Sequence, residues 1–229
     1  MIKNNSIKAL IPAREGSKGI PSKNMSILNG KPLIFYTINE VLKILDPENI
    51  YLSSDSDEIL NYGDSFKINL IKRPDEISQN QSTSGDVINH FINHKKLENK
   101  NDFTILYLQP TSPLRTFSHI KESLEIFYKN DCNALISVSE SKELPNKAYI
   151  VKDNKLEKMI LSQNVSELRQ ELPNSYYPNG AIYIFSKNKF LKEKAIPSRN
   201  ILPYYMDEMH SIDIDTKLDL KFAKFLISK

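Results

Sequence analysis

At 229 residues, 40% apolar and 26% charged, the chain is long enough to bury a sizeable core as a single domain over 1–229. A net charge of +3 gives no drive toward nucleic acid or an acidic membrane. The single cysteine, Cys132, rules out an intrachain disulfide, and there is no signal peptide or apolar run of membrane-spanning length, so a cytoplasmic protein is expected.

Strand-like and helix-like runs alternate through the first 140 residues. Ile7–Ile11 reads as a strand, Pro32–Leu45 as a helix, Ile50–Ser53 as a strand and Ser56–Phe66 as a helix. Ile68–Lys72, Phe103–Leu108 and Ala134–Val138 continue the strands, with helices over Ser84–Lys95 and Ser118–Lys129. This rhythm predicts a doubly wound, mainly parallel, Rossmann-like α/β sheet. Residues 140–178 break it: they are polar and irregular, with short strand-like pieces at Ala148–Val151 and Leu156–Ile160, and read as an arm leaving the sheet. The pattern resumes with a strand at Ala181–Phe185, a short helix at Lys187–Lys194 and a closing amphipathic helix at Thr216–Ile227.

The stretch from Ile11 to Asn24, I-P-A-R-E-G-S-K-G-I-P-S-K-N, leaves the end of the first strand, the edge where open parallel sheets bind ligands. Arg14, Lys18 and Lys23, with Lys31 soon after, supply positive charge. Ser17 and Asn24 add polar groups, and Gly16 and Gly19 let a backbone nest approach a ligand closely. Such a loop suits a polyphosphate, although neither the Walker A nor the dinucleotide fingerprint is present. Further along, Ser54 or Asp55 with Glu58 predicts a capping box, and Arg73 falls at the same sheet edge. In Gln109-Pro110-Thr111-Ser112-Pro113-Leu114-Arg115 two prolines stiffen a polar loop; Arg115 reads equally as a ligand contact or as a structural ion pair to an acid. Tyr177-Pro178-Asn179-Gly180 reads as a turn before a strand. In Ser211-Ile212-Asp213-Ile214-Asp215 an extended backbone would put both carboxylates on one face. A hard cation such as Mg²⁺ takes such a pair together with phosphate oxygens, while Asp215 could instead cap the last helix. His90 and His94 have helical zinc spacing but lack a third ligand, and the sequence names no general base.

These strings together resemble the acylneuraminate cytidylyltransferases, the CMP-sialic acid synthetases, along nearly the whole chain. The first loop is similar to the family signature A-R-x-G-S-K-G-x-x-x-K-N. S-S-D-S-D-E-I, R-P, L-Q-P-T-S-P-L-R-T, P-N-G-A-I-Y-I and S-I-D-I-D follow in family order. The resemblance implies attack of the 2-hydroxyl of a nine-carbon 2-keto sugar acid, a nonulosonic acid, on the α-phosphorus of CTP. The products are a CMP-sugar and pyrophosphate, with Mg²⁺ as cofactor. It implies that Arg14, Ser17, Lys18 and Lys23 hold the triphosphate, that Asn24 meets the ribose, and that Arg73 and Ser84 read the nucleoside. Gln109, Lys147, Arg169 and Tyr177 fall to the sugar acid, Asp213 and Asp215 to the metal, and Arg14, Lys23 and Asp215 to catalysis. The 140–178 arm would reach across a homodimer. Asn80 stands where many members have aspartate. Tyr177 stands where some sialic acid enzymes have arginine, which leaves the choice among N-acetylneuraminic, legionaminic and pseudaminic acids open. The competing readings are a Kdo-type cytidylyltransferase, a nucleotide-sugar glycosyltransferase of similar fold and a non-catalytic nucleotide-binding regulator. The last two are disfavoured by a D-x-D near the C-terminus and by an intact set of loop cations.

Overall fold

Alternation along the first strand sets the layers. The computed structural model describes residues 6–16, 19–94, 97, 101–141, 145–159 and 174–228. In it β1 (Ile7–Pro12) sends Ile7, Ala9 and Ile11 to one face and Leu10 to the other, as a period of two requires. After the first loop a two-stranded hairpin, β2 (Ile27–Leu28) and β3 (Lys31–Pro32), flanks the Asn29-Gly30 turn. Then follow α1 (Leu33–Leu42), β4 (Ile50–Ser54), α2 (Asp57–Asp64), β5 (Asn69–Lys72), α3 (Ser84–Ile92), β6 (Thr104–Tyr107), α4 (Phe117–Lys129) and β7 (Ala134–Glu140). The arm contributes β8 (Tyr149–Lys152) and β9 (Lys155–Lys158), which pair only with each other in the described sheets. Asp153 and Asn154 turn that hairpin with positive φ at both positions. Last come β10 (Tyr176–Ser186), α5 (Lys187–Glu193), β11 (Ile201–Tyr205) and α6 (Lys217–Ile227).

The main sheet has seven strands in the order β11-β7-β10-β6-β1-β4-β5. All neighbours are parallel except β10, which runs antiparallel to both β6 and β7. One face carries α1, α2 and α4, whose Ile34, Ile38, Ile59, Ile120 and Leu124 pack on Ile7, Ala9 and Ile11. The other carries α3 and α5, with Val87, Phe91 and Phe190 against Leu10, Tyr51 and Ile105. Burial on both faces drives the fold at about 1.5–3 kcal/mol per fully buried Leu, Ile or Phe. Lys8, on the second face, keeps its ammonium satisfied by donating to the Asn49 carboxamide.

Several elements differ from the sequence reading. β11 contains Pro203, which argues against a strand, yet it lies at the sheet edge where a missing N–H is tolerated. Pro178-Asn179-Gly180 is no turn before a strand. It lies inside β10, where the register with β7 shifts between Pro178 and Tyr183, so the Asn-Gly pair makes a bulge. The helix after β4 is capped at Ser56 without a side-chain bond, and no Ser54, Asp55 or Glu58 capping box forms. The last helix is capped by Thr216, whose side chain accepts from Asp219 N while Asp219 accepts in return, so Asp215 is left outside the cap.

Candidate active site

A third, smaller cluster fixes the first loop. Ile20, Leu28, Leu33, Ile214 and Ala223 pack together, tying the loop, the β2–β3 hairpin and α6 to the segment that carries the two aspartates. Gly19 makes the closest approach. A Cβ there would stand 2.1 Å from the Asp215 carbonyl oxygen, whereas among the described residues nothing lies within 4 Å of the position at Gly16. The lack of a side chain at Gly19 therefore serves contact with the aspartate segment rather than with a ligand.

Lys23 is 9% exposed, and its Nζ donates to the Ile214 carbonyl and to Asp215 Oδ1, both at 2.8 Å. Asn24 Nδ2 donates to the Arg14 carbonyl at 2.8 Å, and Arg14 Nη1 donates to the Gln79 carbonyl at 3.0 Å. On the far side, Ile214 N donates to the Thr111 carbonyl at 2.8 Å. The Asp213–Asp215 segment is thus held between two loops at the carboxyl edge of the sheet. Ile214 is fully buried and Ile212 partly so.

Arg73 is buried below β5, where Nε donates to Ser53 Oγ at 3.2 Å and Nη2 to the Ser53 carbonyl at 2.8 Å. Burial pulls the guanidinium's pKa down, offset in part by Asp55. Its salt-bridge partners among the described residues number none, so the cation is held by neutral oxygens and is open to an acceptor from a ligand. At the start of α3, Thr83 and Asp86 form a full capping box, which points the helix N-terminus and Ser84 toward the same space.

One cavity of about 290 Å³ collects these groups. Arg14, Lys23, Asn24, Arg73, Ser84, Gln109, Asp213 and Asp215, all singled out from the sequence, line it. Lys147 and Tyr177 do not: both are exposed and lie apart from the cavity lining. Ser17, Lys18 and Arg169 lie outside the described residues. Arg115 fills neither of the roles read for it. It is 1% exposed, with Nη1 donating to the Gln109 and Ala181 carbonyls and Nη2 to Thr37 Oγ1, and burial pulls its pKa down to about 9. It is a scaffold residue that fastens the Gln109 loop to β10 and α1. Tyr107 lines the cavity and was missed, although a hydroxyl-bearing residue closing a buried strand, two before Gln109, marked it.

Asp213 is the group best matched to a cation. Burial raises its pKa first, the neighbouring Asp215 raises it further, and a hydrogen bond with Thr111 lowers it. Its Oδ1 is buried and makes no hydrogen bond among the described residues. A desolvated, orphaned carboxylate oxygen is a hard donor that a divalent ion would satisfy, and a pair of carboxylates leaves the remaining positions to phosphate oxygens and water. The residues present therefore fit Mg²⁺.

A cytidylyltransferase family model matches residues 8–219. The N-acylneuraminate cytidylyltransferase of Streptococcus agalactiae serotype V is 36% identical over 212 residues, covering 92% of this chain and 50% of the relative. The chain thus spans about half the length of the streptococcal relatives it matches. The pseudaminic acid cytidylyltransferase of Campylobacter jejuni serotype O:2 is 30% identical over 221 residues, covering 95% of this chain and 94% of the relative. Among solved structures, a CMP:2-keto-3-deoxy-manno-octonic acid synthetase complexed with CTP superposes with a TM-score of 0.70 at 14% identity, covering 97% of this chain and 98% of that one. At that identity the likeness concerns the fold.

Proposed function

This chain belongs to the cytidylyltransferase family, and on that premise we propose that it joins CTP to a nine-carbon 2-keto sugar acid, giving the CMP-sugar and pyrophosphate. The observation that carries the reading is the shared cavity. Three cationic side chains, Arg14, Lys23 and Arg73, line it together with two carboxylates, Asp213 and Asp215, Lys23 being paired with Asp215, and the N-terminus of α3 borders it. In the reaction the acceptor 2-hydroxyl oxygen forms a bond to the α-phosphorus while the bond to the pyrophosphate oxygen breaks, and the hydroxyl proton is released to water. Little covalent work falls to the protein, so catalysis is positioning plus charge stabilisation. Lys23 and Arg14 neutralise the triphosphate, with Ser17 and Lys18 assigned to the same task, while Arg73, Asn24 and Ser84 seat the nucleoside and Gln109 contacts the acid. Asp213 and Asp215 would hold Mg²⁺, which supplies charge neutralisation at the phosphates.

Lys147 and Tyr177, which do not line the cavity of their own chain, are assigned with Arg169 to the acid in a homodimer, reached by the arm of the second copy. The acid is of the N-acylneuraminate or pseudaminate kind; the C. jejuni relative, which matches along nearly its full length, keeps the second in view. The deciding experiment is pyrophosphate release with CTP and Mg²⁺ against N-acetylneuraminic, legionaminic, pseudaminic and Kdo acids. Release with one nine-carbon acid supports the proposal. Release with Kdo alone, or with none of the four while CTP binds, overturns it.

A further inference from the structure

Tyr107 closes β6 at the carboxyl edge of the sheet and is 3% exposed. Its hydroxyl donates to Ser84 Oγ at 3.3 Å, and the Gln109 side chain, lining the same cavity two residues on, lies near enough to favour the ionised phenol. Ser84 belongs to the nucleotide wall and Gln109 to the acceptor wall, so one phenol joins the two. Because Ser84 Oγ accepts from Tyr107, its own proton stays free to be donated to a ligand.

Gln109 is confined from the other side as well. A Cβ at Gly180 would lie 2.6 Å from Gln109 Oε1 and 3.6 Å from Asp213 Oδ2, and Gly180 has φ +76°, so this wall is built for a residue without a side chain. The Tyr107 ring is itself braced. Tyr183, its cross-strand partner on β10, meets it edge to face with centroids 5.9 Å apart.

Resting on the nucleotidyl-transfer reading above, the geometry points to Tyr107 as a positioning residue that couples nucleotide binding to acceptor binding. A nucleotide that accepts a hydrogen bond from Ser84 polarises the bond from Tyr107 to Ser84. The phenol then settles, and Gln109 is fixed with Oε1 available to the acid. By thermodynamic reciprocity the acid must tighten the nucleotide by the same factor.

The experiment is calorimetric titration with the non-cleavable analogue cytidine 5′-(α,β-methylene)triphosphate, with and without the acid that the turnover panel identifies. In the wild type each ligand should tighten the other by about 5–10-fold, the lower range of measured couplings. In Tyr107→Phe that factor should fall toward one, while each ligand alone binds within about threefold of wild type, the change expected from one neutral hydrogen bond or less. Tyr183→Phe, which keeps the ring packing, should retain the coupling. Absence of coupling in the wild type, its persistence in Tyr107→Phe, or equal loss in Tyr183→Phe overturns the inference and leaves the transferase reading standing. A wild type that does not bind the analogue overturns that reading, and the inference with it.

Discussion

Asp213 sits in a conflict that sets two measurable properties. Burial and Asp215 hold its pKa above the ordinary carboxylate value. Its ionised form is therefore less welcome in the fold than in the unfolded chain. The metal-free protein should gain stability as pH falls from neutral through that raised pKa toward the ordinary value, because the native state binds the proton more tightly. Asp213→Asn removes the penalty. Without metal it should melt above wild type at pH 7, by roughly 2–4 °C for each kcal/mol relieved in a chain of this size, with the gap closing on acidification. Added Mg²⁺ should reverse the order, since only the wild type is stabilised by it. Scanning calorimetry at pH 7 and at about pH 4, with and without Mg²⁺, checks all three signs; a lower metal-free Tm at pH 7 would assign Asp213 to structure. Asp215→Ala is the complementary case. Its side chain is 73% exposed, so the fold should survive by circular dichroism while pyrophosphate release falls at least about 10²-fold, the scale of losing one electrostatic group at the reacting phosphate.

At the scale of elements, the parallel strands and their helices were legible because hydrophobic period and strand–helix alternation are local signals. What was not legible depends on partners distant in sequence. β11 is a strand because β7 offers it an edge, whereas its own sequence, with Pro203, argues otherwise. The bulge at Gly180 is set by Asn179, which accepts from Ser137 Oγ and from Ala181 N and donates to Ser211 at 2.9 Å. The burial of Arg115 is set by carbonyls from the Gln109 loop and β10. Residues that a motif gathers in one string do line the cavity, and Tyr107 was missed because its partner Ser84 stands 23 positions away. Gly19 shows how tightly two distant strings are joined. Gly19→Ala would drive a methyl into the Asp215 carbonyl, displacing the aspartate segment. Turnover should drop about 10²-fold, as for a roughly 1 Å misplacement at a reacting centre, with secondary structure preserved. Near-wild-type kcat in that variant would show that the loop can retreat without disturbing the carboxylates.

At the scale of the molecule, the β8–β9 hairpin stands apart from the main sheet. Val151 and Leu156 are 72% and 68% exposed, although a two-stranded hairpin is marginal in water without an apolar face to cover. With the dimer proposed above, Val151→Glu together with Leu156→Glu should shift the protein toward monomer in light scattering. Acid turnover should be lost while CTP binding is kept. Lys147→Ala should raise the KM for the acid about tenfold and the KM for CTP less than about twofold, the loss expected of one charge-assisted hydrogen bond. Equal effects on both constants would remove Lys147 from the acid site.

The direction of β10 has a consequence of another kind. Because it alone runs against its neighbours, Tyr176 at its start lies opposite Glu140 at the end of β7. Both stems of the arm are thereby anchored at the carboxyl edge of the sheet. On the dimer proposed above, insertions, deletions or whole replacements between those stems would recast the arm's contact with the acceptor without crossing the core. If the arm reads the acid as proposed, inheritance could vary the sugar acid and keep the nucleotide chemistry fixed, and chimaeras joined at Glu140 and Tyr176 should exchange one acceptor for another.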